Sequence, residues 1–279
     1  MGALGDWLAK ASPKLTWIDA DRYVWAVFAG RPDRWYEDPA GLAAASARAQ
    51  VLLRSGVQEV RVAGPFGGLL REAEGPDGVA EAFADPQGRR LLGETLDALA
   101  YQLDAAVDLA LVCPSPRDLL RGGHRDDFFA LDDVAAAMLE VLRGLADRRI
   151  SALVITSATP ESPGDDELES WSSMLSAAGH YGWHTAARLD GAGTARGVDL
   201  PSELVLLPGV GPAELGEDSR IGGGLVSAFW EAGEAADLLA ARAIERPFRF
   251  GEIPAGAAPE VVLSRLDQLA VRETGKIET

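Results

Sequence analysis

The 279-residue chain holds one cysteine, Cys113, together with three histidines and three methionines, and its lysines stand only at positions 10, 14 and 276. A lone thiol excludes an internal disulfide and any metal site built from several thiolates, and it fits a reducing compartment. A surplus of basic residues is also missing: 26 Lys and Arg face 43 Asp and Glu, for a net charge of −17. Phosphate contacts need clustered cations, so a nucleic-acid groove is excluded and an anionic membrane surface is disfavoured. No apolar run approaches a membrane span, and the opening MGALGDWLAKASPKL lacks the apolar core of a secretory signal. The Met-Gly start lacks the hydroxyl residue that a myristoylation signal wants. Together these absences point to a cytoplasmic protein.

What is present is a repeating plan. Hydrophobic residues make up 47% of the chain, enough for a large core, and no low-complexity stretch divides it. Tyr23–Ala29 reads as an opening buried strand that stops at Gly30 and a loop carrying Arg31, Asp33 and Arg34. Asp38-Pro39 then gives an N-cap and first-turn proline for a helix with Leu42, Ala45, Ala49, Leu52 and Leu53 on one face. Val57–Ala63 alternates as a second strand and breaks at Gly64-Pro65-Phe66-Gly67-Gly68, a turn that lets backbone approach a neighbour closely. Asp85-Pro86 repeats the helix start.

Further strands are expected at Val107–Val112, Ile150–Ser157, Trp183–Leu189, Leu204–Leu207, about Gly224–Ala228, and Phe248–Ile253. Helices are expected over about Asp132–Arg149, from Leu168 to Gly179, weakly after Pro212, over Glu231–Glu245, and from Pro259. Strands alternating with helices at intervals of about 30 residues predict an α/β fold, a single (β/α)8 TIM barrel that binds its ligand at the carboxyl ends of the strands. A doubly wound sheet is the structural alternative. One domain over residues 1–279 is expected, with 1–18 an amino-terminal extension and 271–279 a flexible tail.

In that order the units resemble the uroporphyrinogen decarboxylase-like barrels, the superfamily that also holds cobalamin-independent methionine synthase. Asp21-Arg22-Tyr23-Val24-Trp25 and Ala29-Gly30-Arg31 are similar to the family's aspartate-arginine pair, Val-Trp strand and Ala-Gly-Arg turn, and Phe248–Leu269 is similar to its closing strand, proline-rich turn and last helix. The resemblance implies that Arg31 clamps a substrate carboxylate and that the chemistry is decarboxylation or methyl transfer. The family's catalytic aspartate has no counterpart here, because Gly64-Pro65-Phe66 follows the second strand. The histidine of its closing turn is missing, with Glu252 the nearest polar group, and after the fourth strand stand Ser157, Thr159 and Pro160. Zinc ligands would follow the fifth strand, where Arg188-Leu189-Asp190-Gly191 stands instead. Those gaps support a second reading: a non-catalytic barrel that acts as a subunit or ligand-binding partner.

The candidate site is therefore a ring of strand-end residues. Arg31 reads as a carboxylate-binding residue, while for Arg34, Arg117 and Arg188 a binding role and a surface salt bridge stand level. Asp190 and Arg188 are the catalytic candidates, although Asp190-Gly191 also suits a plain turn that anchors Arg188. Gly64, Phe66, Ser115, Ser157, His184 and Glu252 complete the substrate-binding set. His180 and His184 have a metal-pair spacing, but Gly179 and Gly182 interrupt any helix there. No metal and no cofactor are expected. The expected partners are a small carboxylate-bearing molecule and a homodimer mate or partner subunit, with no nucleic acid and no membrane. Cys113 between Val112 and Pro114 reads as core packing.

Overall fold

Eight strands form one sheet, and all of its pairings are parallel. The structure, a computed structural model, describes residues 2–29, 32–159, 162–191 and 200–274, with side chains left undescribed at 29, 32–34 and 271–274. In chain order the first elements are α1 (Ala3–Leu8), β1 (Leu15–Asp19), the short helix α2 (Asp21–Val24), α3 (Pro39–Leu53) and β2 (Val57–Arg61). Next come α4 (Gly67–Glu72), α5 (Gly75–Ala84), α6 (Pro86–Gln102), β3 (Asp108–Pro114), α7 (Pro116–Leu119), α8 (Phe128–Arg143), β4 (Ala152–Ser157) and α9 (Asp165–His180). The last are β5 (His184–Leu189), β6 (Leu204–Leu207), β7 (Ile221–Gly224), α10 (Glu234–Glu245), β8 (Phe248–Glu252) and α11 (Pro259–Thr274).

The sheet runs β1-β8-β7-β6-β5-β4-β3-β2, a nearly closed (β/α)8 barrel. β1 pairs with β8 and β2 with β3, while the seam between β1 and β2 is bridged more sparsely. Gly56 N donates to Thr16 O at 2.9 Å, and Ile18 N donates to Ser55 Oγ at 3.0 Å. Two side-chain bonds higher on the seam, Trp17 to Glu59 and Arg61 to Asp19, complete the closure.

Alternation along each strand sorts side chains between two cores. Leu15, Trp17, Val57, Ala110, Val112, Ala152, Val154, Ala186, Leu204, Leu206, Phe248 and Phe250 form one buried cluster, the barrel interior. Ile18, Val60, Leu109, Leu111, Cys113, Leu153 and Ile155, on the opposite faces, join the larger cluster shared with the helices. Cys113 is fully buried there, and burial pushes its thiol well above the ordinary range.

Helix α1 plugs the amino-terminal end of the barrel. Leu4 sits in the interior cluster, its amide donates to Asp108 Oδ2 at 2.7 Å, and Trp7 meets Phe248 with ring centroids 6.1 Å apart. Full burial of a leucine contributes about 1.5–3 kcal/mol. The Asp-Pro helix starts act as caps, Asp38 accepting from Gly41 N at 2.9 Å and Asp85 from Gly88 N at 2.7 Å.

Three expectations are corrected. The opening strand is Leu15–Asp19, and Tyr23–Ala29 is helical, α2 running into a π-helical turn over Trp25–Ala29. An aromatic and β-branched run suggests a strand, but tertiary packing overrides that propensity where Tyr23 and Val24 bury against the helical layer. β7 lies at Ile221–Gly224, ahead of the expected Gly224–Ala228, because Gly222 and Gly223 allow close approach of Phe248 and Leu207. In the described residues no helix lies between Pro212 and β7, where a weak one is expected; α4 and α5, between β2 and α6, are helices for which the sequence reading had no expectation. Among the described residues no helix is long and apolar enough to cross a membrane.

Candidate functional site

The interior alternation carries charges to the carboxyl ends of β1, β2, β5 and β8. Trp17 is followed two residues on by Asp19, Val57 by Glu59 and then Arg61, Ala186 by Arg188, and Phe250 by Glu252. Asp21 opens α2 directly after β1, and its amide donates to Asp19 Oδ1 at 3.2 Å.

Two guanidiniums organise these acids. Arg61 donates from Nη2 to Asp19 Oδ2 at 2.7 Å and from Nε to Asp21 Oδ2 at 3.1 Å. Arg188 donates from Nη1 to the same Asp19 oxygen at 2.5 Å, from Nε to Asp190 Oδ1 at 2.6 Å and from Nη2 to Glu252 Oε2 at 3.1 Å. Glu59 Oε2 lies 3.5 Å from Arg188 Nη1, and the Phe250 ring packs under the guanidinium with 5.5 Å between the guanidinium carbon and the ring centroid. Arg188 is buried, its side chain 3% exposed, whereas that of Arg61 is 30% exposed. Asp190 at 37% and Glu252 at 27% also reach solvent.

Burial and neighbouring charge then separate the carboxyls. Burial pushes Asp19 up, but Arg61 and Arg188 outweigh it and hold its carboxyl below the usual range. At Asp21 burial dominates over Arg61, with Asp19 adding repulsion, and the carboxyl is pushed up to about 6. Glu59, fully enclosed and repelled by Asp19, is pushed up to about 8. Tyr36 hydroxyl donates to Asp21 Oδ2 at 3.4 Å, and burial together with Asp21 drives that phenol well above its ordinary value. Three acids in one site thus hold protons differently, which is what general acid–base work requires.

A second polar group sits at the ends of β3 and β4. Ser115 and Ser157 both donate to Glu167 Oε1, at 2.6 and 3.2 Å, and Trp171 Nε1 donates to Ser115 Oγ at 3.1 Å. Arg117 donates to Asp126 at 2.8 Å and lies 3.6 Å from Glu167 Oε2. Asp118 accepts from Ala158 N at 2.8 Å, and its carboxyl is raised by burial, with Glu167 and Asp190 adding repulsion.

The structure brings Arg188, Asp190 and Glu252 together, and it gathers Ser115, Ser157 and Arg117 in the second group. Phe66 is not at the mouth: it packs edge-on against Phe83 in the helical core, because the short 3-10 turn after β2 turns it outward. His184 begins β5, and so lies at the opposite end of the barrel, where Nδ1 meets Glu203 Oε2 at 3.2 Å. Gly64 does allow a close approach, to the ring of Tyr36. Arg31 lies outside the described residues, as does the side chain of Arg34.

Sequence reasoning missed Asp19, Asp21, Glu59, Arg61, Tyr36 and Glu167. The signal was present in LTWID and VQEVR, where charges share the alternating face of apolar neighbours; on an open sheet that face reads as solvent-exposed, whereas in a barrel it is the interior.

No family model matches the chain. No curated protein matches it. Among solved structures it is similar to the tandem GH20 catalytic modules of the pneumococcal exo-β-D-N-acetylglucosaminidase StrH, at 12% identity and a TM-score of 0.47, over 94% of this chain and 84% of that one. No residue role follows from a likeness of that size.

Proposed function

We propose that the protein is an enzyme that moves a proton on a small molecule bound at the carboxyl-end mouth, with Asp21 as the proton-carrying group. The observation that carries this reading is the Asp21 carboxyl itself, held between Arg61 and Tyr36 at a strand end and pushed up to about 6. A group with that affinity protonates or deprotonates substrate near neutral pH, an effect of about 10²–10⁴-fold in rate.

A carboxylate-bearing substrate fits the same place. Arg61 spends Nε and Nη2 on Asp21 and Asp19, and its side chain, 30% exposed, is the cation bonded to the proton carrier. Arg188, enclosed by four carboxyl groups, is a holder of the site and not a clamp. In the lyase form of the reading the substrate C–C bond breaks, its electron pair stays on the substrate carbon as CO2 leaves, and the proton of Asp21 is transferred to that carbon. Methyl transfer through a thiolate finds no support, since Cys113 is buried in the core.

One observation favours the non-catalytic reading: each of the three guanidinium nitrogens of Arg188 already donates to a protein carboxylate. Incubation with a panel of small keto, hydroxy and polycarboxylic acids in deuterated water, followed by NMR, separates the two. The enzyme reading expects carbon-bound deuterium with the wild type and at least about 100-fold less with Asp21→Asn. Equal incorporation by both proteins would overturn the role of Asp21, and none by either would favour the non-catalytic barrel.

A further inference from the structure

Glu59 lies deeper in the barrel than any group assigned a role above, and its two oxygens are treated differently. Oε1 accepts from Trp17 Nε1 at 2.9 Å. Oε2 is buried without a hydrogen-bond partner, although Arg188 Nη1 stands 3.5 Å away. That nitrogen donates to Asp19 at 2.5 Å, so the guanidinium that would compensate an ionised Glu59 is held closer to Asp19 than to Oε2. An ionised Glu59 would carry buried charge on an oxygen that accepts no hydrogen bond, and a proton on Oε2 removes that charge.

We infer that Glu59 is a positioning residue that stores a proton beneath Arg188 and thereby sets where that guanidinium sits. With Glu59 neutral, Arg188 stays with Asp19, Asp190 and Glu252, as observed. With Glu59 ionised, Arg188 is drawn down the barrel axis toward Oε2, and its bonds to Asp190 and Glu252 at the mouth loosen. The charged groups that face Glu59 are Asp19 from β1, Asp21 from α2, Arg61 from its own strand and Arg188 from β5. The two acids oppose its ionisation and the two guanidiniums favour it, with burial as the largest opposing influence. The inference takes the mouth as the reacting face, but its own signature is spectroscopic and independent of turnover.

Trp17 supplies the reporter, because its indole N–H is bonded to the titrating carboxyl. In the full-length protein labelled with 15N, the Trp17 indole and the Arg188 Nε resonances are expected to shift together as pH rises, with a common midpoint near 8. Glu59→Gln keeps the acceptor for Trp17 and should abolish both titrations. Flat resonances in the wild type from about pH 6 to about pH 10, or an unchanged Arg188 titration in Glu59→Gln, would overturn the inference. Should Glu59→Gln fail to fold, Trp17→Phe deletes the donor but leaves the carboxyl; the Arg188 midpoint must then move upward, and an unmoved midpoint contradicts the assignment. Loss of the Asp21-dependent deuterium incorporation with these titrations intact would count against the function proposed above and leave Glu59 in place.

Discussion

Arg188 on β5 and Asp19 on β1 meet across the barrel, Nη1 to Oδ2 at 2.5 Å, with both side chains almost wholly enclosed. Strands far apart in the sheet are tied at the level of the site. Removing Asp19 takes from Arg61 and Arg188 the carboxylate they share, and breaking a buried pair from one side is costly. Asp19→Ala is expected to lower stability by about 3–5 kcal/mol, measured by chemical denaturation. Combining it with Arg188→Met should cost clearly less than the sum of the two single changes.

Stability should depend on pH with a definite sign. Asp21 and Glu59 have folded-state affinities above their ordinary values, so the folded chain binds more protons than the unfolded one over that interval, and stability falls as pH rises. The fall spans the interval from the ordinary carboxyl range to about 8. Asp19, shifted the other way, contributes stability that is lost as pH drops below its ordinary value. Glu59→Gln should flatten the upper part of the curve and gain about 2–4 kcal/mol relative to wild type at alkaline pH. A wild-type curve that rises through neutrality would contradict the raised carboxyls.

At Gly64 an added Cβ would land on the Tyr36 ring. Gly64→Ala is therefore expected to displace Tyr36, break its bond to Asp21 and cost about 1–3 kcal/mol. Because that bond favours the ionised carboxylate, the Asp21 midpoint should rise as well. Thermal unfolding together with a pH titration of Asp21 checks both effects.

The amino-terminal plug is separable from the mouth. Leu4→Ala should destabilise the protein by about 2–5 kcal/mol through the cavity left at the barrel floor. Ligand binding at the opposite end should be unchanged, as isothermal titration would show.

Much of this fold was legible in the sequence. Val57 through Ala63 and Leu204 through Leu207 showed their strands because apolar residues recur between turn signals, and Asp38-Pro39 and Asp85-Pro86 marked helix starts because cap chemistry is local. The first strand was misplaced because Tyr23–Ala29 has the composition of a strand while its packing makes it helical. That slip set Asp19 and Asp21 ahead of the barrel and hid them. Arg188 and Asp190 were singled out by their strand-end position and Glu252 by its place in the closing strand, and the three do meet. Glu59 and Arg61 were not, since only closure of the sheet turns their face inward. His184 and Phe66 failed for a related reason: which end of a strand, or which side of a turn, a residue occupies depends on boundaries that composition fixes only loosely.

The central claim, that Asp21 is the proton-carrying group of the mouth, is tested most directly by titrating its side-chain carboxyl carbon by NMR, with Asp21→Asn used to assign the resonance. The predicted midpoint is about 6, in a group that remains bonded to Arg61. A midpoint in the ordinary aspartate range near ~3.9 would mean that Asp21 is simply an ionised partner of Arg61, and would contradict the account.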